Sequence, residues 1–201
     1  MSKLIKSPLN YVGGKYKLLE EMLPHFPKSI NTFADLFGGG FNVGINIVCK
    51  HIIYNDIETN VTELLKHLYT NDVDEVLAAI DDVIAKFNLS KTNAEGFAQL
   101  RAYYNQNTSD PIAFYTLICF AFNNQIRYNK AGEFNMTFGK ERSSFNPSLR
   151  AKFIEFVKTL QTKECSFHDK TFKDFDSSNL RQDDFVYADP PYFNSVQHLR
   201  I

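Results

Sequence analysis

The sequence predicts an α/β fold: a doubly wound parallel sheet interrupted by a mostly helical insertion. Three observations predict it. A compact apolar run, Thr32-Phe33-Ala34-Asp35-Leu36-Phe37, stops at Gly38-Gly39-Gly40, as a buried strand feeding a tight turn does. A second short strand, Ile52-Ile53-Tyr54, ends at Asn55-Asp56 and leads into a helix from Glu58 to Tyr69, which makes one unit of a parallel sheet. The last clear strand, Asp184-Phe185-Val186-Tyr187-Ala188, runs into Asp189-Pro190-Pro191-Tyr192. Each run carries an acid to the carboxyl end of a strand, where open α/β sheets bind ligands.

The remaining elements follow in order. Lys15 to Leu23 reads as a short amphipathic helix after Gly13-Gly14, ending at Pro24. Val43, Ile45, Ile47 and Val48 read as a buried helix continuing from the glycine turn. From Asp72 to Asn107 the pattern is helical, with Val76, Ala79, Ile80, Val83, Ile84 and Phe87 on one face and Phe97, Leu100 and Tyr104 on another. Pro111 to Phe122 is a helix apolar almost all round, and 123–140 turns to Asn, Gly and aromatic residues, an exposed loop or hairpin. A helix from Pro147 to Leu160, a strand from Cys165 to Phe167 and a polar stretch to Asp183 complete the order. With no internal repeat, three regions are expected: 1–71 and 164–201 in the sheet, and 72–163 as an insertion between its strands.

The chain has 201 residues, 44% of them hydrophobic, enough for one sizeable core. Cys49, Cys119 and Cys165 are odd in number and far apart, which suits reduced thiols in a cytoplasmic protein. Five histidines show no ligand spacing, so no metal is expected. The first residues lack the apolar stretch of a secretory signal, and the apolar run Ile112 to Phe122 is shorter than the roughly 20 residues a membrane span needs. Net charge is −1, yet residues 86–163 hold 11 Lys or Arg against 5 Asp or Glu. That part is electrostatically suited to phosphate, and the flanks are not.

The chemistry concentrates at the Asp-Pro-Pro-Tyr turn. Prolines rigidify it and leave carbonyls without neighbouring N–H donors. A planar base can stack on Tyr192 while its exocyclic amine donates to Asp189 and to the Pro190 carbonyl, an arrangement that prepares an amine for methylation. The bland alternative is a proline turn with Asp189 as a turn carboxylate. Gly38-x-Gly40-x-x-x-Gly44 departs from the Gly-x-Gly-x-x-Gly spacing of a pyrophosphate site, which disfavours a nicotinamide oxidoreductase. S-adenosylmethionine carries no phosphate and needs only close backbone approach. Asp56, 21 residues after Asp35, is placed to accept ribose hydroxyls, or alternatively to cap the following helix.

These pieces together resemble the Dam-like family of adenine-N(6) DNA methyltransferases, over nearly all of the chain. Pro8-Leu9-Asn10-Tyr11-Val12-Gly13-Gly14-Lys15 is similar to the family's aromatic-x-Gly-Gly-Lys motif, which implies cofactor contacts for Tyr11 and Lys15. Phe33-Ala34-Asp35-Leu36-Phe37-Gly38-Gly39-Gly40 resembles Glu-Pro-Phe-x-Gly-Gly-Gly, with Asp35 for Glu and Leu36 for Pro. By that resemblance Asp35, Phe37, Gly38 and Gly40 border the cofactor. Asn55-Asp56-Ile57 looks like Asn-Asp-Ile and assigns Asp56 to the ribose. Phe172-Lys173-Asp174-Phe175 is similar to an Asp-Phe pair at the cofactor adenine, giving Asp174 and Phe175 that role, although Asp174 reads equally as a surface acid.

The segment from Asn123 to Lys140 closely resembles the family's Arg-x-Asn-x-x-Gly-x-Phe-Asn-x-Pro-x-Gly recognition segment, with Thr137 for Pro. Asn123, Gln125, Arg127, Asn129 and Asn135 are then candidates for DNA contact, Arg127 as a bidentate guanine reader. Lys130, Lys140 and Arg142 supply phosphate charge. The resemblance implies a Rossmann-like S-adenosylmethionine-dependent methyltransferase sheet with a helical target-recognition insertion, acting on adenine in duplex DNA, with GATC as target. Asp189, Pro190 and Tyr192 would be catalytic, Asp189 also touching the cofactor, with the base flipped from the stack. Restriction–modification is the expected setting. Only nine residues follow Tyr192, so the family's final strands are expected to be missing. Association through an incomplete sheet edge, or an inactive relic that binds cofactor or DNA without turnover, are the corresponding expectations.

Overall fold

The computed structural model describes residues 3–11 and 13–191. Tyr192, expected to stack on the base, lies outside the described residues. Four parallel strands form one sheet: β1 (Thr32–Asp35), β2 (His51–Asn55), β3 (Cys165–His168) and β4 (Phe185–Tyr187). Their order is β3-β2-β1-β4. The chain moves outward from β1 through β2 to β3, then returns to the other side of β1 for β4. Strand order reverses between β1 and β4, and at such a point the loops leaving two adjacent strands diverge and open a crevice. The register, Asp35 opposite both Tyr54 and Tyr187, brings the three acid-bearing strand ends to one edge.

One sheet face carries Phe33, Ile52, Tyr54, Phe167, Phe185 and Tyr187, which explains the aromatic content of these strands. The Phe26 ring sits 4.9 Å from Phe185 and 5.7 Å from Tyr187, and Tyr69 lies 5.5 Å from Phe167. The opposite face presents Thr32, His51, Ile53, Ser166 and His168, all half-buried, and Val186, 43% exposed.

Among the described residues six α-helices accompany the sheet: α1 (Leu19–Met22), α2 (Thr59–Thr70), α3 (Val73–Lys86), α4 (Ala94–Gln106), α5 (Pro111–Phe120) and α6 (Pro147–Gln161). Side chains that take up otherwise orphaned N–H groups begin five of them: Glu58, Asp72, Asn93, Asp110 and Asn146. Proline opens α5 and α6, where its missing N–H is harmless. α5 packs against α2, α3 and α4 and buries Ile112 through Phe120. A helix enclosed on all sides has no polar face to show, hence its unbroken apolar sequence. The buried residues of sheet and helices form one continuous core.

Three expected elements differ. The segment after the glycine turn makes only a 3₁₀ turn at Gly44–Asn46, because residues 41–50 must also return to the start of β2 and leave no length for a helix. Asn46 ties this turn to the amino-terminal segment, exchanging hydrogen bonds with the Ile5 backbone at 2.8 Å each way. Lys15 to Leu23 is a 3₁₀ turn, the single-turn α1 and a second 3₁₀ turn, and that turn includes Pro24. Proline at the start of a new turn gives up no bond. The stretch 72–107 breaks between α3 and α4, where Asn88 takes a positive φ of 49° and Asn93 caps the next helix. Among the described residues no helix is long and apolar enough to cross a membrane.

Candidate active site

At the carboxyl edge of the sheet, β1 ends in Asp35, β2 in Asn55 followed by Asp56, and β4 leads through Ala188 to Asp189. Backbone bonds continue the sheet past the strands: Leu36 N–H donates to Tyr187 O at 3.0 Å, and Gly38 N–H to Asn55 O at 2.9 Å. Asn55 locks three loops together, donating to Leu36 O and Lys170 O and accepting from Lys170 N–H at 3.0–3.1 Å.

The glycines are required by what lies against them. A Cβ on Gly38 would run into the buried Tyr54 ring, and Gly39, at φ +47°, would place one 2.9 Å from the Tyr11 ring. Gly39 N–H donates to Asp56 Oδ2 at 2.8 Å, and Tyr54 donates its hydroxyl to Gly39 O at 2.9 Å. Asp56 Oδ1 accepts from Glu58 N–H at 2.9 Å, and the nearby Tyr11 hydroxyl opposes the rise in its pKa that burial causes. Asp56 therefore shapes the turn as well as offering a site, and Glu58, not Asp56, caps α2. A carboxylate has about four acceptor positions, so acceptor capacity remains beside the Gly39 and Glu58 N–H donors.

Asp35 is 1% exposed, and neither of its oxygens has a hydrogen-bond partner. Burial, then the neighbouring Asp56 carboxylate, push its pKa up to about 7; the N–H groups of Gly44 and Phe37 face it and oppose that rise without completing bonds, and Asp189 adds to it. Burial also raises the pKa of Asp56. A buried carboxyl without a partner costs stability, and such a group points to a ligand. Lys15 forms an ion pair with Asp189 Oδ2 and donates to Gly13 O at 2.9 Å. Tyr11, Lys15, Asp35, Gly38, Gly40, Asp56 and Asp189 thus come together, Gly40 lying under the Tyr11 side chain. Pro190 follows, exposed.

Phe37 meets Phe172, ring centres 5.8 Å apart, a neighbour that the sequence reading did not single out. Asp174 and Phe175 are not brought to this group. Asp174 is exposed and accepts a bond from Thr171 Oγ1 at 2.6 Å within its own turn. Phe175 lines a cleft of about 420 Å³ with Thr32, His51, Ile53 and Asp184, on the opposite sheet face. The short turn 171–174 leaves the chain on that side.

The segment 121–139 is a hairpin, with bridges Ala121–Phe138 and Tyr128–Phe134. Arg127 crosses it: Nε donates to Asn135 Oδ1 at 2.9 Å, Nη2 to Asn135 O at 2.8 Å, and Asn135 N–H returns to Arg127 O. Asn129 builds the tip, accepting from Ala131 and Glu133 N–H and donating to Glu133 Oε2 at 2.7 Å. Phe134 anchors the hairpin in the core, its backbone exchanging two bonds with the Asn105 side chain. Asn123, at φ +54°, accepts at its carbonyl from Asn10 Nδ2 at 2.7 Å, linking the hairpin to the Tyr11 segment. Gln125 is half-buried at the base, while Lys130, Lys140 and Arg142 are exposed. Among the described residues no group of three or more His, Cys, Asp or Glu side chains could hold a metal ion.

A parallel sheet that gathers three aspartates at the carboxyl edge, where its strand order reverses, is an α/β arrangement of the kind in which that edge binds ligands. The chain belongs to the D12 class of N6 adenine-specific DNA methyltransferases, whose family profile matches residues 11–199. It is 50% identical over 188 residues to the Type II methyltransferase M.FokI of Planomicrobium okeanokoites, and 47% identical over 190 residues to the modification methylase StsI of Streptococcus sanguinis. Each alignment covers 94% of this chain and 29% of the relative, so the chain spans less than a third of the length of either. The DNA adenine methylase of Escherichia coli K12 is 30% identical over 190 residues, covering 92% of this chain and 64% of that protein.

Proposed function

We propose that this chain forms the cofactor-binding and DNA-reading part of an enzyme that methylates the N6 amine of adenine in duplex DNA, with S-adenosylmethionine as donor. The observation that carries the reading is the meeting of Asp35, Asp56, Asp189 and Lys15 around the glycine turn. The residues fit the cofactor. Two orphaned carboxylate oxygens on Asp35 call for a positive or N–H-bearing group, such as its ammonium. Asp56 keeps an acceptor position for ribose, Tyr11 offers an aromatic face, and Lys15 offers a cation for a carboxylate. The cofactor supplies a methyl group on a positively charged sulfur.

The chain's own residues handle the amine. Asp189 and the Pro190 carbonyl accept its two N–H bonds, which returns electron density to nitrogen as it attacks. Lys15 fixes the Asp189 carboxylate through their ion pair. Tyr192 would stack on the flipped adenine. Arg127, held on Asn135, reads guanine, with Asn123 and Gln125 as further base contacts and Asn129 serving DNA by holding the hairpin tip, while Lys130, Lys140 and Arg142 meet phosphates. Asp174 and Phe175, on the other sheet face, form the weakest part of the assigned cofactor set. GATC is the specific target proposed, and the reading includes a restriction–modification setting in the cytoplasm and association through β4, the edge strand among the described residues.

The test is a pool of duplexes with randomised sequence around one adenine, incubated with the protein and S-adenosylmethionine and sequenced for N6-methyladenine. Enrichment of GATC supports the target. Methylation in another context removes GATC and keeps the activity, and methylation of cytosine alone contradicts the reading.

A further inference from the structure

The recognition hairpin and the cofactor side of the site meet at one hydroxyl. Tyr128 stands between Arg127 and Asn129 and bridges to Phe134, the two rings packed edge to face at 6.1 Å. Its hydroxyl donates to Glu58 Oε1 at 3.2 Å and accepts from Asn60 Nδ2 at 3.0 Å. Asn60 closes a triangle by donating to Glu58 Oε1, from Nδ2 at 3.0 Å and from its backbone at 3.3 Å. Glu58 N–H holds Asp56 Oδ1, and Asp56 Oδ2 holds the Gly39 N–H. A continuous run of hydrogen bonds therefore leads from the loop that carries Arg127 to the glycine turn.

Glu58 is half-buried, and burial raises its pKa, so each donor withdrawn from it leaves a poorly solvated carboxylate short of a partner. A hairpin lifted from Glu58 would leave Glu58 and the α2 entrance less well held than the seated one that the structure shows. The seated state presents Arg127 on the Asn135 scaffold and fixes the loop on which Asp56 stands. Neither Tyr128 nor Glu58 has a part in the amine chemistry above.

We propose that Tyr128 and Glu58 are positioning residues that couple the two substrates, so that DNA on the hairpin raises affinity for the cofactor at Asp56, and the cofactor raises affinity for DNA. The inference rests on the reading of the chain as an S-adenosylmethionine-dependent DNA methyltransferase. Linkage makes the effect reciprocal, and coupling between sites ordinarily amounts to roughly 5–150-fold.

Calorimetric titration of S-adenosylhomocysteine into the protein, with and without a substrate duplex, reads the coupling as a ratio of dissociation constants. The expected wild-type ratio is at least about fivefold. Tyr128→Phe should bring it within about twofold of unity while both ligands still bind singly. Glu58→Gln, which keeps an acceptor oxygen for the phenol, should preserve most of it, an outcome that loss of packing alone would not give. If Tyr128→Phe fails to fold, Asn60→Ala removes the triangle from its other corner and should lower the ratio likewise. An unchanged ratio in the folded variant, or a wild-type ratio of one with both ligands bound, overturns the coupling and leaves the methyltransferase reading intact. Failure of the wild type to bind either ligand overturns both.

Discussion

Asp35 illustrates how a single side chain can oppose stability and serve a site. Below about pH 4 its carboxyl is neutral whether folded or unfolded, and it imposes no penalty. Its folded pKa is raised to about 7, so between these values the folded state holds a proton that the unfolded state has lost. Stability therefore falls as pH rises through this window. Asp35→Asn should accordingly melt higher than wild type at pH 8, by an amount of order 4 kcal/mol at most, and match it near pH 4. The same variant should bind S-adenosylhomocysteine more weakly at pH 8, since the ligand's ammonium favours the ionised carboxylate. Equal melting at pH 8 would contradict this account of the buried acid. Gly38→Ala should lose roughly 1–3 kcal/mol of stability in chemical denaturation, because the buried Tyr54 ring beside it cannot yield. The position of Asp35 was legible in the sequence as the end of a strand. Its lack of partners was not, for that depends on the path of the glycine turn folded over it, which leaves both oxygens buried without a donor.

Among the elements, legibility followed the source of order. Helices α2, α5 and α6 and all four strands stand where apolar patterning put them, since each buries a face or a whole surface that periodicity records. The 3₁₀ turn at Gly44–Asn46 was hidden behind a run of apolar residues, of which Val43, Ile45 and Ile47 are buried as a turn buries them while Val48 is exposed. The α3–α4 break was signalled by Asn88 and Asn93, polar residues suited to a left-handed position and a cap. The hairpin was legible from its composition, while the division of work within it was not. Asn129 resembles a base reader, yet both ends of its amide are committed to the tip. Asn129→Ala should therefore loosen the whole tip and lower DNA affinity about tenfold, a loss of roughly 1.4 kcal/mol, with little change in sequence preference. Arg127→Lys should instead relax preference at one base pair, because a lysine cannot present the bidentate fork. A competition assay over single-base variants of the methylated site separates the two patterns.

At the scale of the whole molecule, the strand reversal between β1 and β4 gathers residues distant in sequence. Lys15 reaches Asp189, Asn31 Nδ2 and Thr32 N–H reach Asp184 at 3.0 and 2.8 Å, and the Asn10 side chain reaches Asn123. The Lys15 and Asn10 contacts bring the amino-terminal motif, the end of β4 and the hairpin to the carboxyl edge of the sheet, while the Asp184 contacts tie the starts of β1 and β4 together at its other edge. We propose that this site moves a methyl group onto adenine with Asp189 as a catalytic residue. The most direct measurement is transfer of labelled methyl from S-adenosylmethionine to unmethylated duplex DNA by the wild-type chain and by Asp189→Ala. The account predicts label on adenine N6 with the wild type and at least a hundredfold less, about 2.7 kcal/mol of transition-state stabilisation, with the variant. Bound cofactor and DNA with no transfer by the wild-type chain, or equal transfer by the variant, would contradict it.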